Sequence, residues 1–190
     1  PPAPDARGRV WVKVPVFPFA RLGIDPVRGP EMRSTGEVLG SGPSTGLALV
    51  KALRAAGINL DEHGAVFLSL NDRDKSRAGA RELVARLKDL DLPVYATAGT
   101  AAFLAEHGID AKRLDKIGEG GRNAIAMLRH HQVGLVVNTP RGVKGRTDAG
   151  AIRMAALQSG VPCLTTLEGA LAALEGIKAL RGCELDIRPL

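Results

Sequence analysis

Aromatic residues and cysteines are scarce in this sequence. The 190 residues include one tryptophan, one tyrosine, four phenylalanines and two cysteines. Modules that bind single-stranded nucleic acid stack bases on aromatic side chains, so the shortage of aromatics argues against that class. Cys163 and Cys183 form no CxxC or Cys/His pattern, which excludes a disulfide scaffold and gives no sign of a metal site. We therefore expect a protein of the reducing cytoplasm.

Long apolar runs are also missing. No stretch approaches the roughly 18 consecutive apolar residues of a membrane span, and residues 1–9 lack the apolar core of a secretory signal. The composition, 45% hydrophobic and 24% charged, excludes collagen-like, coiled-coil and wholly disordered classes. The remaining class is a globular protein without a membrane segment.

Positive charge is in excess, with 26 Lys and Arg against 20 Asp and Glu and a net charge of +6. Such a balance is typical of proteins that bind nucleic acid, but a small anionic ligand such as a phosphate would also explain clustered cations. Composition leaves both explanations open.

Prolines divide the chain into two parts. Eight of the twelve lie at or before Pro43, and each fixes φ and removes a donor, so residues 1 to about 45 are predicted as short extended pieces and turns. Residues 10–16 are the best strand candidate there. Beyond them, apolar runs predict strands at 65–70, 93–97, 112–117, 134–138 and 163–165. Helical periodicity predicts helices at 45–56, 77–90, 100–107, 123–131, 148–159 and 167–180.

Alternating strands and helices of this length predict an α/β fold, a three-layer doubly wound sheet of five parallel strands. In such folds ligands bind at the carboxyl ends of the strands. Hydroxyls, amides and cations follow several predicted strands, notably Ser69, Lys75, Lys116 and Asn138. A basic loop carries Arg141, Lys144 and Arg146. The sequence therefore predicts an anion site at this edge.

The turn Thr97-Ala-Gly-Thr100 is the sharpest local motif. Two hydroxyls three residues apart, with a glycine between them, can donate to a phosphate at a helix N-terminus. The same threonines could instead cap the following helix, which is a common role for Thr. The local spacing does not distinguish phosphate binding from helix capping. No Ser-His-Asp or Cys-His arrangement can be argued, and His130-His131 is expected at a helix end.

Longer motifs point to a family. The segments Ser69-Leu-Asn-Asp-Arg-Asp-Lys75, Ala96-Thr-Ala-Gly-Thr100 and Asn138-Thr-Pro resemble the C-terminal regulatory domain of the carbamoyl-phosphate synthase large chain. Residues 15–23 and 29–40 resemble the end of the second ATP-grasp synthetase domain of that subunit. The resemblance implies a methylglyoxal-synthase-like fold over 46–190, preceded by a synthetase tail and linker over 1–45.

The resemblance also implies a regulatory function. In this family the domain binds a nucleoside monophosphate, UMP or IMP, and controls the synthesis of carbamoyl phosphate for pyrimidines and arginine. By motif, Lys75, Thr97, Thr100 and Lys116 would hold the phosphate. Asn138 and Thr139 would face the ribose and base, with Ser69 and Asp148 as outer contributors.

Partners and cofactors follow from the same resemblance. The ATP sites and their Mg²⁺ or Mn²⁺ ligands belong to synthetase domains upstream of these residues, so the chain is expected to hold no cofactor and to be inactive alone. Its expected partners are the rest of the large subunit, the glutaminase small subunit through the whole enzyme, and possible further copies of itself. Nucleic acid and membranes are not expected partners.

Departures from the family pattern affect the expected ligand. The chain has Glu119-Gly-Gly-Arg-Asn123 where Glu-Gly-Arg-Pro is common, and Arg141 where a small hydroxyl residue is frequent. These changes leave the choice between UMP and IMP open. Two other functions stay as alternatives, a methylglyoxal-synthase-like lyase and a basic nucleic-acid module. The lyase is disfavoured because Arg122 and Thr147 match the positions of its carboxylate base and histidine.

Overall fold

The structure is a computed structural model that describes residues 8–18, 34–119, 121–140, 148–182 and 185. It contains a two-stranded antiparallel hairpin and a five-stranded sheet. Strand β1 (Val10–Val16) pairs with β2 (Gly36–Gly42), with Val10 opposite Gly42 and Val16 opposite Gly36. Strand β1 was predicted from the sequence, whereas β2 was not, because its three glycines resemble a turn.

The glycines of β2 have a packing role. The hairpin lies against helix α1 (Thr45–Ala55), and a side chain at Gly40 would collide with the backbone of Ala48 and Ala52. Ser44 caps α1 by accepting from the Leu47 N–H, and Gly57, at φ +81, follows the helix. The predicted domain boundary, between residues 45 and 46, falls directly after the first residue of α1. The division into two domains stays a prediction.

The main sheet has the predicted architecture. Its strands run in the order β5-β4-β3-β6-β7, and every pair is parallel. Their bounds are β3 (Val66–Ser69), β4 (Val94–Ala96), β5 (Lys112–Arg113), β6 (Leu135–Asn138) and β7 (Cys163–Leu164). The short buried runs of β3, β4 and β6 are typical of strands covered on both faces.

Helices cover both faces. Their bounds are α2 (Asp72–Lys75), α3 (Ala78–Leu90), α4 (Ala98–Glu106), α5 (Ala124–Arg129), α6 (Asp148–Gln158) and α7 (Leu167–Gly182). One core contains Val66 and Leu68 of β3 with residues of α1, α3, α4 and α7. The other contains Phe67 with residues of α5 and α6. This alternation along β3 confirms the three-layer fold.

Besides β2, two elements differ from prediction. The third strand of the sheet was expected over 112–117, but β5 is only two residues long and is followed by an isolated bridge between Asp115 and Asn123. Both residues of β5 are exposed at the sheet edge, where strands are commonly short. Helix α2 was not predicted, because its four charged residues have no apolar periodicity.

None of the helices among the described residues is long and apolar enough to cross a membrane.

Candidate functional site at the carboxyl edge of the sheet

The sheet order reverses at its centre. From β3 the chain adds β4 and β5 on one side, and then crosses to add β6 and β7 on the other. The carboxyl ends of β3 and β6 therefore flank a topological switch point, where doubly wound sheets bind their ligands. Ser69 pairs with Asn138 at this point, so the structure brings these two predicted residues together.

Lys75 lies over the N-terminus of a neighbouring helix. Its Nζ is 3.4 Å from the position that a Cβ on Gly99 would occupy, in the first turn of α4. The same Nζ is 2.8 Å from Oδ1 of Asp72; the Lys75 side chain is 14% exposed and that of Asp72 76%. An ammonium beside the positive end of a helix dipole is unfavourable alone and favourable when an anion lies between them.

The first turn of α4 leaves donors available. The N–H groups of Thr100 and Ala101 both reach the Thr97 carbonyl. Within the described part of the chain, the N–H groups of Ala98 and Gly99 have no backbone acceptor. Thr97 is the N-cap residue of α4, but its side chain makes no capping hydrogen bond among the described residues. Its hydroxyl lies 3.2 Å from that of Thr100.

Thr100 and Thr139 are buried and hold the turn that follows β3. Thr100 is fully covered and accepts from the Leu70 N–H at 3.0 Å. Thr139 is 4% exposed and accepts from the Asn71 N–H at 2.9 Å. Consecutive amides of this turn are thus bonded to threonines on opposite sides of β3. The predicted phosphate and ribose contacts of these hydroxyls stay predictions.

Asn138 is fully buried and contacts α6. Its Nδ2 donates to the Ala149 carbonyl at 3.2 Å, and its Oδ1 accepts from Nη1 of the buried Arg153 at 3.4 Å. These bonds connect the end of β6 to the start of α6, where the predicted outer residue Asp148 is exposed. The predicted contact of Asn138 with a ribose is not tested by this geometry.

Lys116 lies in the loop that follows β5. The pairing of Asp115 with Asn123 closes the base of that loop, and the Lys116 N–H reaches Oε2 of Glu119 at 3.3 Å. Its side chain is exposed, and among the described residues no contact joins its ammonium to Lys75. Residues 141–147 of the basic loop, with Arg141, Lys144, Arg146 and Thr147, lie outside the described residues.

Arg122 packs on an aromatic ring and not at the switch point. Its Cζ is 5.3 Å from the centre of the Tyr95 ring, and its Nη2 donates to Oε1 of Gln132 at 3.1 Å. A guanidinium on an aromatic face is a favourable cation–π contact. This position therefore holds a cation and cannot supply a carboxylate base.

An ion-pair chain connects α2 to α7. Arg77 contacts Oδ1 of Asp74 at 3.3 Å and Oε1 of Glu168 at 2.5 Å. Hydrogen bonds to Glu168 and Asp74 raise the pKa of Arg77 above its ordinary value. The pKa of Glu168 is lowered, first by a hydrogen bond from its own N–H and then by Arg77. The charged forms of both partners are thus favoured.

Asn71 was missed as a site residue by the sequence reasoning. It caps α2 by accepting from the Asp74 N–H at 2.8 Å, and its amide also reaches Thr139 and Pro140. An Asn directly before Asp-Arg-Asp-Lys is a helix-start signal that could have revealed α2 and this residue. Its contact with β6 is non-local and has no signal in the sequence.

Comparisons with known proteins agree with this geometry. Residues 79–165 match the family of MGS-like domains. The carbamoyl phosphate synthase large chain of Rubrobacter xylanophilus is 50% identical over 184 residues, which are 95% of this chain and 17% of that protein. The large chain of Archaeoglobus fulgidus is 43% identical over 182 residues, again 95% of this chain and 17% of that protein.

A shorter relative is informative about organisation. The C-terminal section of the carbamoyl phosphate synthase large chain of Aquifex aeolicus is 44% identical over 171 residues, which are 90% of this chain and 32% of that protein. The present chain therefore spans between about a sixth and a third of the relatives named here. By sequence and fold, the chain belongs to the carbamoyl phosphate synthase large-chain family, as its C-terminal MGS-like section.

Proposed function

We propose that this chain is the effector-binding, allosteric section of a carbamoyl phosphate synthase, and that its MGS-like domain binds a nucleoside 5′-monophosphate. The observation that supports this most directly is the position of Lys75. Its ammonium and the Ala98 and Gly99 N–H groups meet beside the first turn of α4. A dianionic phosphate satisfies both kinds of donor at once.

The position of the phosphate determines where the rest of the ligand would lie. With its phosphate between Lys75 and α4, a nucleotide extends over the end of β3 towards the switch point beside β6. UMP and IMP are the proposed effectors, and Lys116 would approach the ligand from the loop that follows β5. Thr97 offers a half-buried hydroxyl to the phosphate, whereas Thr100 is placed beneath it.

Regulation requires the rest of the synthase. Synthesis of carbamoyl phosphate from glutamine-derived ammonia, bicarbonate and ATP would take place in synthetase domains that partner this section. An effector would favour one arrangement of this section against the others, with a coupling free energy of typically about 1–3 kcal/mol. The Aquifex relative, a C-terminal section, supports the idea that such a section associates with the remainder of the enzyme.

Isothermal titration with UMP, IMP and inorganic phosphate tests the binding. We expect the wild type to bind at least one nucleotide, and Thr97→Ala and Lys116→Ala each to weaken it several-fold while the melting temperature is unchanged. Lys178→Ala is the control, because Lys178 is an exposed cation on α7 paired with Asp89 at 3.5 Å. Absence of binding by the wild type at millimolar ligand would refute the proposal.

A further inference from the structure

The side chain of Asn71 makes more contacts than a helix cap needs. Capping α2 uses only Oδ1, which accepts from the Asp74 N–H at 2.8 Å. The Nδ2 group donates to Oγ1 of Thr139 at 3.1 Å, to the Pro140 carbonyl at 3.0 Å and to Oδ2 of Asp74 at 2.7 Å. The acceptor and the donors fix which amide atom faces which partner.

These bonds cross the switch point. Asn71 follows β3, whereas Thr139 and Pro140 follow β6, and the two strands are the neighbours at which the sheet order reverses. The backbone N–H of Asn71 also donates to Thr139, at 2.9 Å. Asn71 thus links the segments that follow the two central strands. It lies directly before α2, the helix that carries Lys75.

A second asparagine shows that capping alone does not require this bridge. Asn123 caps α5 in the same way, with Oδ1 accepting from the Ala126 N–H at 3.0 Å. Among the described residues, its Nδ2 donates only within the local turn, to the Gly121 carbonyl at 3.3 Å. The two asparagines share a cap and differ in the link to a second strand.

We propose that Asn71 is a positioning residue that sets the crevice for the nucleoside part of the ligand. Its amide fixes the path of the chain as it leaves β6, and so fixes the floor over which the ribose and base lie. The proposed phosphate contacts, at Lys75 and the first turn of α4, use no atom of that amide. This inference rests on the proposed nucleotide binding, and it predicts that phosphate and nucleoside recognition separate in a suitable variant.

Asn71→Ser is that variant, because serine keeps the capping oxygen and loses the amide donors. By titration we expect its affinity for inorganic phosphate to stay within twofold of the wild type and its affinity for UMP to fall about tenfold. Asn59→Ser is the control, with the same change at an exposed asparagine in the loop after α1, and we expect both affinities to be unchanged. Thermal melting verifies that each variant is folded, and Asn71→Thr replaces Asn71→Ser if the serine variant does not fold.

The outcomes separate the two proposals. An equal loss of phosphate and UMP affinity in Asn71→Ser would mean that the residue only supports the fold around Lys75, and would overturn the inference. Unchanged UMP affinity would overturn it as well. A wild type that binds neither ligand overturns the proposed function itself, whereas a wild type that binds both while Asn71→Ser shows no separation overturns only the role of Asn71.

Discussion

The two edges of the sheet hold cations in opposite ways. At the amino edge, the Arg181 guanidinium donates to the Glu62 carbonyl through Nε and Nη2, at 3.0 and 2.8 Å, and to the Leu90 carbonyl through Nη1 at 2.6 Å. At the carboxyl edge, Lys75 faces a helix N-terminus and the exposed carboxylate of Asp72. Arg181 is engaged by carbonyl groups of the protein, whereas Lys75 is the cation that we propose binds the phosphate.

Concavity by itself does not distinguish the two edges. A depression of about 470 Å³ lies at the amino edge, lined by Glu62, His63, Leu90, Asp91 and Arg181. Its cation already bonds carbonyls at the end of α3 and in the loop before β3, which is a structural use of arginine. We therefore base the proposed binding site on the partners of a charged group and not on the hollow beside it.

The largest effect, on the free energy of unfolding, is expected from a substitution at the amino edge. Arg181→Met removes three hydrogen bonds from a charged donor and leaves the Leu90 carbonyl without that partner, so we expect a loss of about 1–3 kcal/mol in the free energy of unfolding. Chemical denaturation measures it. We expect phosphate affinity to be unchanged, and a weakened phosphate affinity would contradict the assignment of Arg181 to structure alone.

The reciprocal change at the carboxyl edge should affect binding instead. Lys75→Met removes the ammonium beside α4, and we expect inorganic phosphate affinity to fall about tenfold, which corresponds to about 1.4 kcal/mol, because a charge-assisted contact is lost. Stability should be unchanged or slightly higher, since a cation at a helix N-terminus is unfavourable. Titration and melting measure the two effects, with Lys178→Met as control. A Lys75→Met variant that is destabilised yet binds phosphate normally would show that Lys75 has a structural role and does not bind the ligand.

The same contrast explains how much the sequence could predict. Buried apolar runs such as 66–69 and 135–138 encode their strands locally, so the parallel sheet and the edge at which ligands bind were predictable. The position of Lys75 and Thr97 at that edge was predictable because these residues follow β3 and β4, and their contact with a phosphate stays a prediction. The covered positions of Thr100 and Asn138 were not, because the Leu70 N–H and the Arg153 guanidinium that engage them come from other elements.

Packing against neighbours also hid β2 and α2. Gly40 is a strand residue because α1 lies too close for a side chain, a reason that exists only in three dimensions. Helix α2 depends on the cap from Asn71 and on charged residues that carry no apolar pattern. In both cases a non-local or polar contact replaced the hydrophobic periodicity on which sequence reasoning depends.

The smallest predicted effect distinguishes the two ends of α7 by pH. Arg181, near its last residue, contacts carbonyls, whereas Glu168, in its first turn, contacts Arg77. The pKa of Glu168 is lowered below 4.5 in the folded chain, by its own N–H and by Arg77. A carboxyl whose folded pKa is depressed adds stability above its unfolded pKa, and that stability is lost as the pH falls through the folded value.

Glu168→Gln should therefore be less stable than the wild type between pH 7 and 5, and the difference should shrink as the pH falls below about 4.5. Arg77→Met should reduce this pH dependence without abolishing it, because the N–H contribution remains. The Arg181→Met deficit should not vary with pH, since carbonyls do not titrate. Urea denaturation from pH 7 to 3 measures all three, and salt should weaken only the Glu168 effect because that pair is exposed. A Glu168→Gln deficit that persists unchanged at pH 3 would show that the carboxylate charge does not hold the start of α7.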